Sequence, residues 1–163
     1  MGTVNCFCAE TIIGAVTIYA NEKALTGVYF GECLDATLKN AETEIIKKAF
    51  VQLHEYLNGS RTRFDLKLEY VGSDFQMLVW NQLKKIPYGK TKTYKEIARN
   101  VNNPKSSLAV GGACGRNPIS IFIPCHRVIG SNGNLTGYGG GLHIKKHLLE
   151  MEKQYSNAAN SSF

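Results

Sequence analysis

The sequence changes its pattern between Val71 and Asp74, and this change constrains the fold more than any other feature of the chain. Before it, β-branched and aromatic residues are concentrated in three runs, 4–9, 15–20 and 25–30, separated by short turn sequences. These runs predict a small antiparallel sheet. After it, short segments with helical spacing follow one another. The chain is therefore expected to have an α/β (α+β) fold, with an N-terminal sheet followed by a mainly helical, winged-helix-like part.

The N-terminal part also contains one long segment with helical periodicity. Residues 38–57 carry apolar side chains at helical spacing, and residues 64–70 predict a further strand. We place an N-terminal α/β domain at 1–70 and a C-terminal domain at 71–155. The polar tail, 156–163, is predicted to be disordered.

Capping residues divide the C-terminal part into helices. Ser73 is predicted to cap the first, and Thr93 with Glu96 forms a capping box for the second. The turn 102–104 leads into a third helix at about 105–113, so the last two helices are a helix-turn-helix candidate. The third helix has mostly small side chains. It can either approach a narrow groove closely, including the minor groove of DNA, or pack inside an enzyme core.

Charge is distributed unevenly along the 163 residues, whose net charge is +6. Residues 1–70 hold seven Lys/Arg and nine Asp/Glu, whereas residues 71–163 hold twelve and four, giving −2 and +8. The basic half predicts a polyanionic partner. Five irregularly spaced cysteines favour reduced thiols, and no apolar run reaches the roughly 20 residues of a membrane span, so a cytoplasmic protein without a membrane partner is expected.

The dipeptide Cys125-His126 is the candidate reactive centre. It follows an apolar run and Pro124, which lacks an amide hydrogen and therefore predicts a bend that presents the thiol. A thiol reacts as its thiolate, and a nearby base promotes ionisation. In an extended segment the two side chains would point apart, so a turn or a bridging water must connect them. A small buried cysteine beside a surface histidine is the alternative.

Several motifs in order make the chain resemble the O6-alkylguanine-DNA alkyltransferases, most strongly over 75–152 and only weakly over 1–70. The motifs are Phe75-Gln76, Val79-Trp80, Ile86-Pro87-Tyr88-Gly89, Thr93-Tyr94, Ala109-Val110-Gly111, Asn117-Pro118, Ile123-Pro124-Cys125-His126-Arg127-Val128 and Gly137-Tyr138-Gly139-Gly140-Gly141-Leu142. The resemblance implies a single-turnover DNA repair protein. Such a protein flips O6-alkylguanine out of duplex DNA and transfers the alkyl group irreversibly to its own cysteine.

The resemblance also implies roles for individual residues. Cys125 is the nucleophile, His126 is the base acting through a water, and Glu152 orients the imidazole. Asn117 is implied to hold the active-site segment, and Tyr94 to rotate a phosphate and offer its phenol to the guanine. The implied substrate-binding residues are Tyr94, Val128, Tyr138, Gly139 and Gly140. The implied DNA-binding residues are Tyr94, Lys92, Lys95, Arg99, Lys105, Ser107, Leu108, Ala109 and Gly111.

Two positions depart from the family pattern. Relatives usually have an arginine, the arginine finger, before Ala-Val-Gly, and this chain has Leu108. An apolar wedge can fill the space left by a flipped base but cannot donate hydrogen bonds, so weaker activity on duplex DNA is expected. At the second position, Gly139 stands where some relatives have serine.

Alternatives to alkyl transfer remain open at this point. One is a non-catalytic, alkyltransferase-like module that binds damaged DNA, although such relatives lack the cysteine. Another is a cysteine hydrolase built on Cys125 and His126. The resemblance implies a reaction that needs no cofactor. No metal is expected, because Cys6-x-Cys8 is too tight for the usual zinc-ligand spacing. A monomer acting in the cytoplasm, with access to a nucleoid or nucleus, is the expectation.

Overall fold

The computed structural model describes residues 2–161 and divides into two units. Unit 1 comprises Met1–Tyr70 and Pro118–Ser120, and unit 2 comprises Val71–Asn117 and Ile121–Phe163. No helix in the described part of the chain has the length and apolar character needed to span a membrane.

Unit 1 is built on a four-stranded sheet with one helix. Strands β1 (Asn5–Thr11), β2 (Gly14–Ala20) and β3 (Leu25–Phe30) pair antiparallel, which confirms the predicted N-terminal sheet. The short β4 (Lys39–Asn40) pairs parallel with β1, giving the order β3-β2-β1-β4. Helix α1 (Glu44–Leu57) packs on one face, where the rings of Phe7 and Phe50 are 6.3 Å apart.

Three features of unit 1 differ from the sequence prediction, each because of a contact distant in sequence. The helix predicted over 38–57 begins only at Glu44, since Lys39–Asn40 joins the sheet and the Thr43 side chain caps the helix. The strand predicted over 64–70 is reduced to a single bridge between Leu25 and Leu68. Residues 118–120 group with unit 1, because Val28 N donates to Pro118 O and Ser120 N to Val28 O.

Unit 2 is mainly helical. It contains α2 (Asp74–Leu83), β5 (Lys92–Thr93), α3 (Tyr94–Asn100), α4 (Ser107–Gly115), β6 (Val128–Ile129) and α5 (Leu142–Ser161). Both predicted caps are present, since Ser73 with Gln76 and Thr93 with Glu96 form complete capping boxes. Helices α3 and α4 form the helix-turn-helix. Its second helix begins at Ser107, two residues later than predicted, because Ser106 donates twice to the Asn103 carbonyl and closes one more turn.

The C-terminal segment is helical where disorder was predicted. Helix α5 continues through residues 156–161, and Ser162 and Phe163 lie outside the described residues. The segment contains Ala158 and Ala159, the residue type with the highest helix propensity, and it extends a helix whose earlier turns are already formed. The prediction of disorder, which depended on polar composition alone, was therefore wrong for residues 156–161.

Candidate active site

The segment around Cys125 is a buried turn. Residues 121–128 are all buried, and Cys125–Arg127 forms one turn of 3₁₀ helix directly after Pro124. The Cys125 amide donates to the Ile123 carbonyl at 2.8 Å. The backbone therefore bends where proline predicted a bend, and the side chains of Cys125 and His126 are not held on opposite faces of a strand.

Glu152, from α5, connects this turn to the rest of unit 2. Its Oε2 lies 2.6 Å from His126 Nε2 and accepts from Arg127 Nη2 at 3.1 Å. Its Oε1 accepts from Arg127 Nε at 2.8 Å and from the Gly89 amide at 2.9 Å. Arg127 Nη1 also donates to the Ile86 carbonyl at 2.8 Å. The carboxylate, whose side chain is 1% exposed, thus receives two hydrogen bonds on each oxygen.

These contacts determine the protonation states of Glu152 and His126. Burial alone would raise the pKa of Glu152, but His126 and Arg127 outweigh it and lower that pKa to about 2. Burial lowers the pKa of His126, and the Glu152 carboxylate opposes this only in part. Glu152 is therefore ionised at neutral pH and His126 is a neutral imidazole whose Nε2–H donates to the carboxylate. His126 Nδ1 is then the nitrogen able to take up a proton.

Cys125 is a protected thiol in this state. Burial raises its pKa, while a hydrogen bond involving Asn117 and the charge of Lys145 act in the opposite direction. Asn117 Nδ2 also donates to the Ile123 carbonyl at 2.7 Å, which ties the end of α4 to the segment before the cysteine. The Cys125 residue is 6% exposed. Asn117 therefore fixes the backbone before Cys125 and also acts to lower the pKa of its thiol.

A second polar cluster contains Tyr94, Thr136 and Lys145. Thr136 Oγ1 donates to the Tyr94 hydroxyl at 3.0 Å, and Lys145 Nζ lies 3.4 Å from that hydroxyl and 2.9 Å from the Thr136 carbonyl. The Lys145 ammonium is also 5.7 Å from the centre of the Tyr94 ring. Burial raises the pKa of Tyr94 and lowers that of Lys145. Tyr94 therefore keeps its phenolic proton at neutral pH.

The other predicted substrate-binding residues belong to β6 and to the loop before α5. Val128 is buried in β6, whose backbone pairs with Lys92 in β5. The rings of Tyr138 and His126 meet edge to face at 6.5 Å. Gly139 and Gly140 follow Tyr138 in the loop that leads into α5.

The predicted DNA-binding residues occupy the helix-turn-helix. Leu108 is 92% exposed, and Ala109 is exposed beside it, whereas Ser107 and Gly111 are half-buried. Gly111 lies against the ring of Tyr94. The predicted phosphate contacts are all exposed: Lys92, Lys95, Arg99 and Lys105.

Sequence reasoning gave no site role to three residues that the structure connects to the centre. Arg127 is the principal cation on Glu152, and Gly89 supplies an amide to it with φ of +77°, a conformation that favours glycine. Lys145 is a lysine only 1% exposed. Its spacing was a usable signal, because residues seven apart on a helix, such as Lys145 and Glu152, lie on one face.

Comparisons with known proteins cover nearly the whole chain. Residues 74–154 match the family model for the 6-O-methylguanine DNA methyltransferase DNA binding domain, and residues 6–70 match that for its ribonuclease-like domain. The chain is 48% identical to a methylated-DNA–protein-cysteine methyltransferase of Methanosarcina acetivorans, covering 88% of this chain and 94% of that protein. It is 40% identical to an inducible protein of the same name from Bacillus subtilis, covering 94% and 87%.

Solved structures give the same assignment. The crystal structure of Mycobacterium tuberculosis OGT in complex with DNA is similar with a TM-score of 0.86 and 42% identity, covering 93% of this chain and 94% of that one. Both halves of the sequence match the same family, including the N-terminal half, for which motifs alone gave only a weak resemblance. The chain belongs to the 6-O-methylguanine DNA methyltransferase family.

Proposed function

We propose that this protein repairs O6-alkylguanine in double-stranded DNA by transferring the alkyl group irreversibly to Cys125. The observation that carries the proposal is the buried His126–Glu152 pair directly after the buried Cys125, in a unit matched by the family's DNA binding domain. We assign these three residues to one relay. The S–C bond forms as the bond between the alkyl carbon and O6 breaks, and the thiol is not regenerated from the thioether. Each molecule therefore acts once.

The electrostatics of the relay support a thiol that ionises only when needed. At rest the buried Cys125 is protonated, because burial raises its pKa. His126 Nδ1 accepts the thiol proton through a water, and the imidazolium that results is stabilised by the ionised Glu152. Arg127 keeps Glu152 in place and ionised, so we assign it a positioning role. The thiolate then attacks the alkyl carbon in line with the departing oxygen.

The second polar cluster supports protonation of the leaving group. Guanine leaves most readily as a neutral base, which requires a proton donor beside it. Tyr94 retains its proton, and the nearby Lys145 ammonium stabilises the oxygen as negative charge develops there. Tyr138, Val128, Gly139 and Gly140 are proposed to surround the flipped base.

The exposed face of α4 supports close approach to DNA. Gly112 and Gly115 lie beside Leu108 and Ala109 on this face, and a Cβ added at either glycine would meet nothing within 4 Å. Packing within the protein therefore does not require these glycines, although glycine destabilises a helix interior by about 1 kcal/mol relative to alanine. Close contact of a partner such as the DNA minor groove with the helix backbone explains why glycine occupies these two positions.

Leu108 is proposed to occupy the space left by the flipped nucleotide. Its 92% exposure leaves the side chain available for insertion between bases. It offers no charge or hydrogen bond, so we expect duplex repair to be weaker than with arginine at this position, while the chemistry at Cys125 is unaffected. We expect the protein to act as a cytoplasmic monomer with access to the nucleoid or nucleus.

Intact-protein mass spectrometry tests the proposed reaction. The protein is incubated with a duplex oligonucleotide containing O6-methylguanine, and we expect it to gain one methyl group that maps to Cys125. Cys125→Ser should gain none. Cys114→Ser is the matched control, because Cys114 is the other cysteine of unit 2, and it should react like the unmodified sequence.

Stoichiometry separates the proposal from its alternatives. Alkyl transfer predicts one event per protein molecule and a plateau when all the protein is modified. A binding module predicts retention of the damaged duplex without any mass gain, and a hydrolase predicts product in excess of protein. Either of the last two results would contradict the proposal.

A further inference from the structure

Unit 1 carries a thiol pair on the sheet face opposite α1. Cys6 and Tyr19 are cross-strand partners in β1 and β2, and Cys8 lies two residues along on the same face. β3 and β4 lie at opposite edges of the sheet, so the segment that joins them, residues 31–38, crosses this face. Cys33 is in that crossing segment and lies over the two inner strands.

The two sulfur atoms are almost close enough to bond. Cys6 Sγ lies 3.2 Å from Cys33 Sγ, and the Tyr19 hydroxyl donates to Cys33 Sγ at 3.3 Å. A disulfide is about 2.05 Å long, so the sulfurs need to approach by only about 1.1 Å. Cys6 is 2% exposed, whereas Cys33 is half-buried in the crossing segment. One member of the pair is accessible and the other lies directly behind it.

We propose that Cys6 and Cys33 form a redox-active dithiol that hydrogen peroxide converts into an intramolecular disulfide. The Cys33 thiolate attacks one peroxide oxygen, the O–O bond breaks, and the hydroxide that leaves takes a proton to become water. The sulfur of Cys6 then attacks the Cys33 sulfenic acid, the S–S bond forms, and a second water leaves with the Cys6 proton. Two thiols are oxidised and one peroxide is reduced to two waters.

The surroundings assign different roles to the two thiols. Hydrogen bonds from Tyr19 and then Cys6 lower the pKa of Cys33, which favours the thiolate needed for the first attack. Burial, together with Cys33 itself, raises the pKa of Cys6 to about 11, so Cys6 remains a thiol until the sulfenic acid forms. Within the described chain, Cys6, Cys8 and Cys33 do not form a group able to hold a metal ion.

The adjoining cavity favours a small neutral oxidant. It has a volume of about 560 Å³ and is lined by Cys6, Cys8 and Cys33. Its other lining residues include three carboxylates and no lysine or arginine: Glu10, Glu32 and Asp35 are the charged ones. An anionic oxidant such as oxidised glutathione is repelled there, whereas hydrogen peroxide carries no charge.

The cysteines of unit 2 are less suited to this reaction. Cys125 is 6% exposed and burial raises its pKa, and burial raises the pKa of Cys114 to about 12. Both therefore stay protonated at neutral pH and react slowly with peroxide. The proposed oxidation is a property of unit 1 and does not depend on the alkyl-transfer proposal.

Peptide mapping of the full-length protein tests the disulfide. After brief treatment with hydrogen peroxide and blocking of free thiols, the intact protein should have lost two hydrogens. Cleavage after lysine separates Cys33, in peptide 24–39, from Cys6 and Cys8, in peptide 1–23. We expect these two peptides to be linked, and the link to disappear on reduction. Oxidised glutathione at the same concentration should form it at least about 10-fold more slowly.

Single substitutions identify the partners. Cys33→Ser should abolish the link, and Cys6→Ala should abolish it while leaving a Cys33 sulfenic acid that dimedone traps. Cys8→Ser is the matched control on the same face and should leave the link unchanged. Loss of the link in Cys8→Ser, its persistence in Cys6→Ala, or oxidation of Cys33 to sulfinic acid without any link in the unmodified sequence would overturn the proposal. Equal rates of disulfide formation with oxidised glutathione and with hydrogen peroxide would overturn the assignment of the oxidant.

Discussion

Replacing Glu152 by glutamine tests how strongly the relay depends on one buried carboxylate. Glutamine has nearly the same volume, so no cavity forms and the change acts through charge and hydrogen bonding. Each oxygen of Glu152 accepts two hydrogen bonds, one of them from Arg127 in both cases. Whichever way the amide is oriented, its NH₂ group faces two donors.

The structure sets the expected size of the effect. Glu152 is 1% exposed and Arg127 is 7% exposed, so Glu152→Gln leaves a buried guanidinium without a counter-charge. Removing one partner of such a pair typically costs about 3–5 kcal/mol. This is a large part of the usual stability of about 5–15 kcal/mol. For a chain of this size it corresponds to a fall in Tm of roughly 6–20 °C.

Fluorescence of the single tryptophan provides the assay. Trp80 is buried in unit 2, where its Nε1 donates to the Ala113 carbonyl at 2.9 Å, so its emission reports unfolding of the unit that contains Glu152. Denaturant unfolding followed at Trp80 gives the free energy for both variants. Glu150→Gln is the matched control, since Glu150 is two residues away on α5 with its side chain 67% exposed. It should change stability by less than about 0.5 kcal/mol.

A loss in Glu152→Gln no larger than in Glu150→Gln would refute the reasoning. It would mean that water or a rearranged Arg127 compensates the missing charge. The same variant should also transfer the alkyl group more slowly, because the imidazolium at His126 loses its counter-ion. If Glu152→Gln transferred the alkyl group at an unchanged rate under conditions where all the protein is folded, Glu152 would have no role in the proposed relay.

Leu108→Arg should speed the reaction with alkylated duplex DNA by about 5–150-fold, the equivalent of about 1–3 kcal/mol, without changing the rate with O6-benzylguanine. Equal rates of the two proteins on duplex DNA would contradict the proposed role of Leu108. Lys145→Met should slow alkyl transfer from both alkylated duplex DNA and O6-benzylguanine, measured by single-turnover kinetics. An unaltered rate would show that Lys145 does not assist Tyr94 in the reaction. Gly112→Leu should stabilise unit 2 by up to about 1 kcal/mol in denaturant yet weaken duplex binding; unchanged binding would show that DNA does not approach this face. In acid, the free energy of unfolding should fall below pH 6.5 and more steeply from pH 4.5 toward 2, because the folded-state pKa values of His126 and Glu152 are both lowered; a flat profile followed at Trp80 would contradict this.

Local signals in the sequence were sufficient for the helix starts. The capping boxes of Ser73 and Thr93 are complete within four residues, so the residues that form them can be found from the local sequence. The bend at Pro124 is local for the same reason. The first turn of α1 was misjudged because Lys39–Asn40 pairs with a strand more than thirty residues earlier, a choice made by tertiary contacts.

The active-site environment was only partly predictable. Cys125 and His126 are adjacent, and their motif made them the candidate reactive residues, but the hydrogen bond of Gly89 to Glu152 joins residues 63 positions apart. In the sequence, Gly89 was recognised only as part of the motif Ile86-Pro87-Tyr88-Gly89. Lys145 was missed because a lysine in an amphipathic helix is normally exposed, although its spacing of seven residues from Glu152 indicated that the two share one face of α5.

The confinement of the Cys125 sulfur has a consequence for the protein after it has reacted. The Cys125 residue is only 6% exposed, so a methyl group retained on its sulfur is surrounded mainly by protein atoms. Adding a methylene or methyl to a well-packed interior typically costs about 1–3 kcal/mol. The spent form is then less stable than the fresh form and is opened more often to proteases, so that the lesion it removed also shortens its own lifetime.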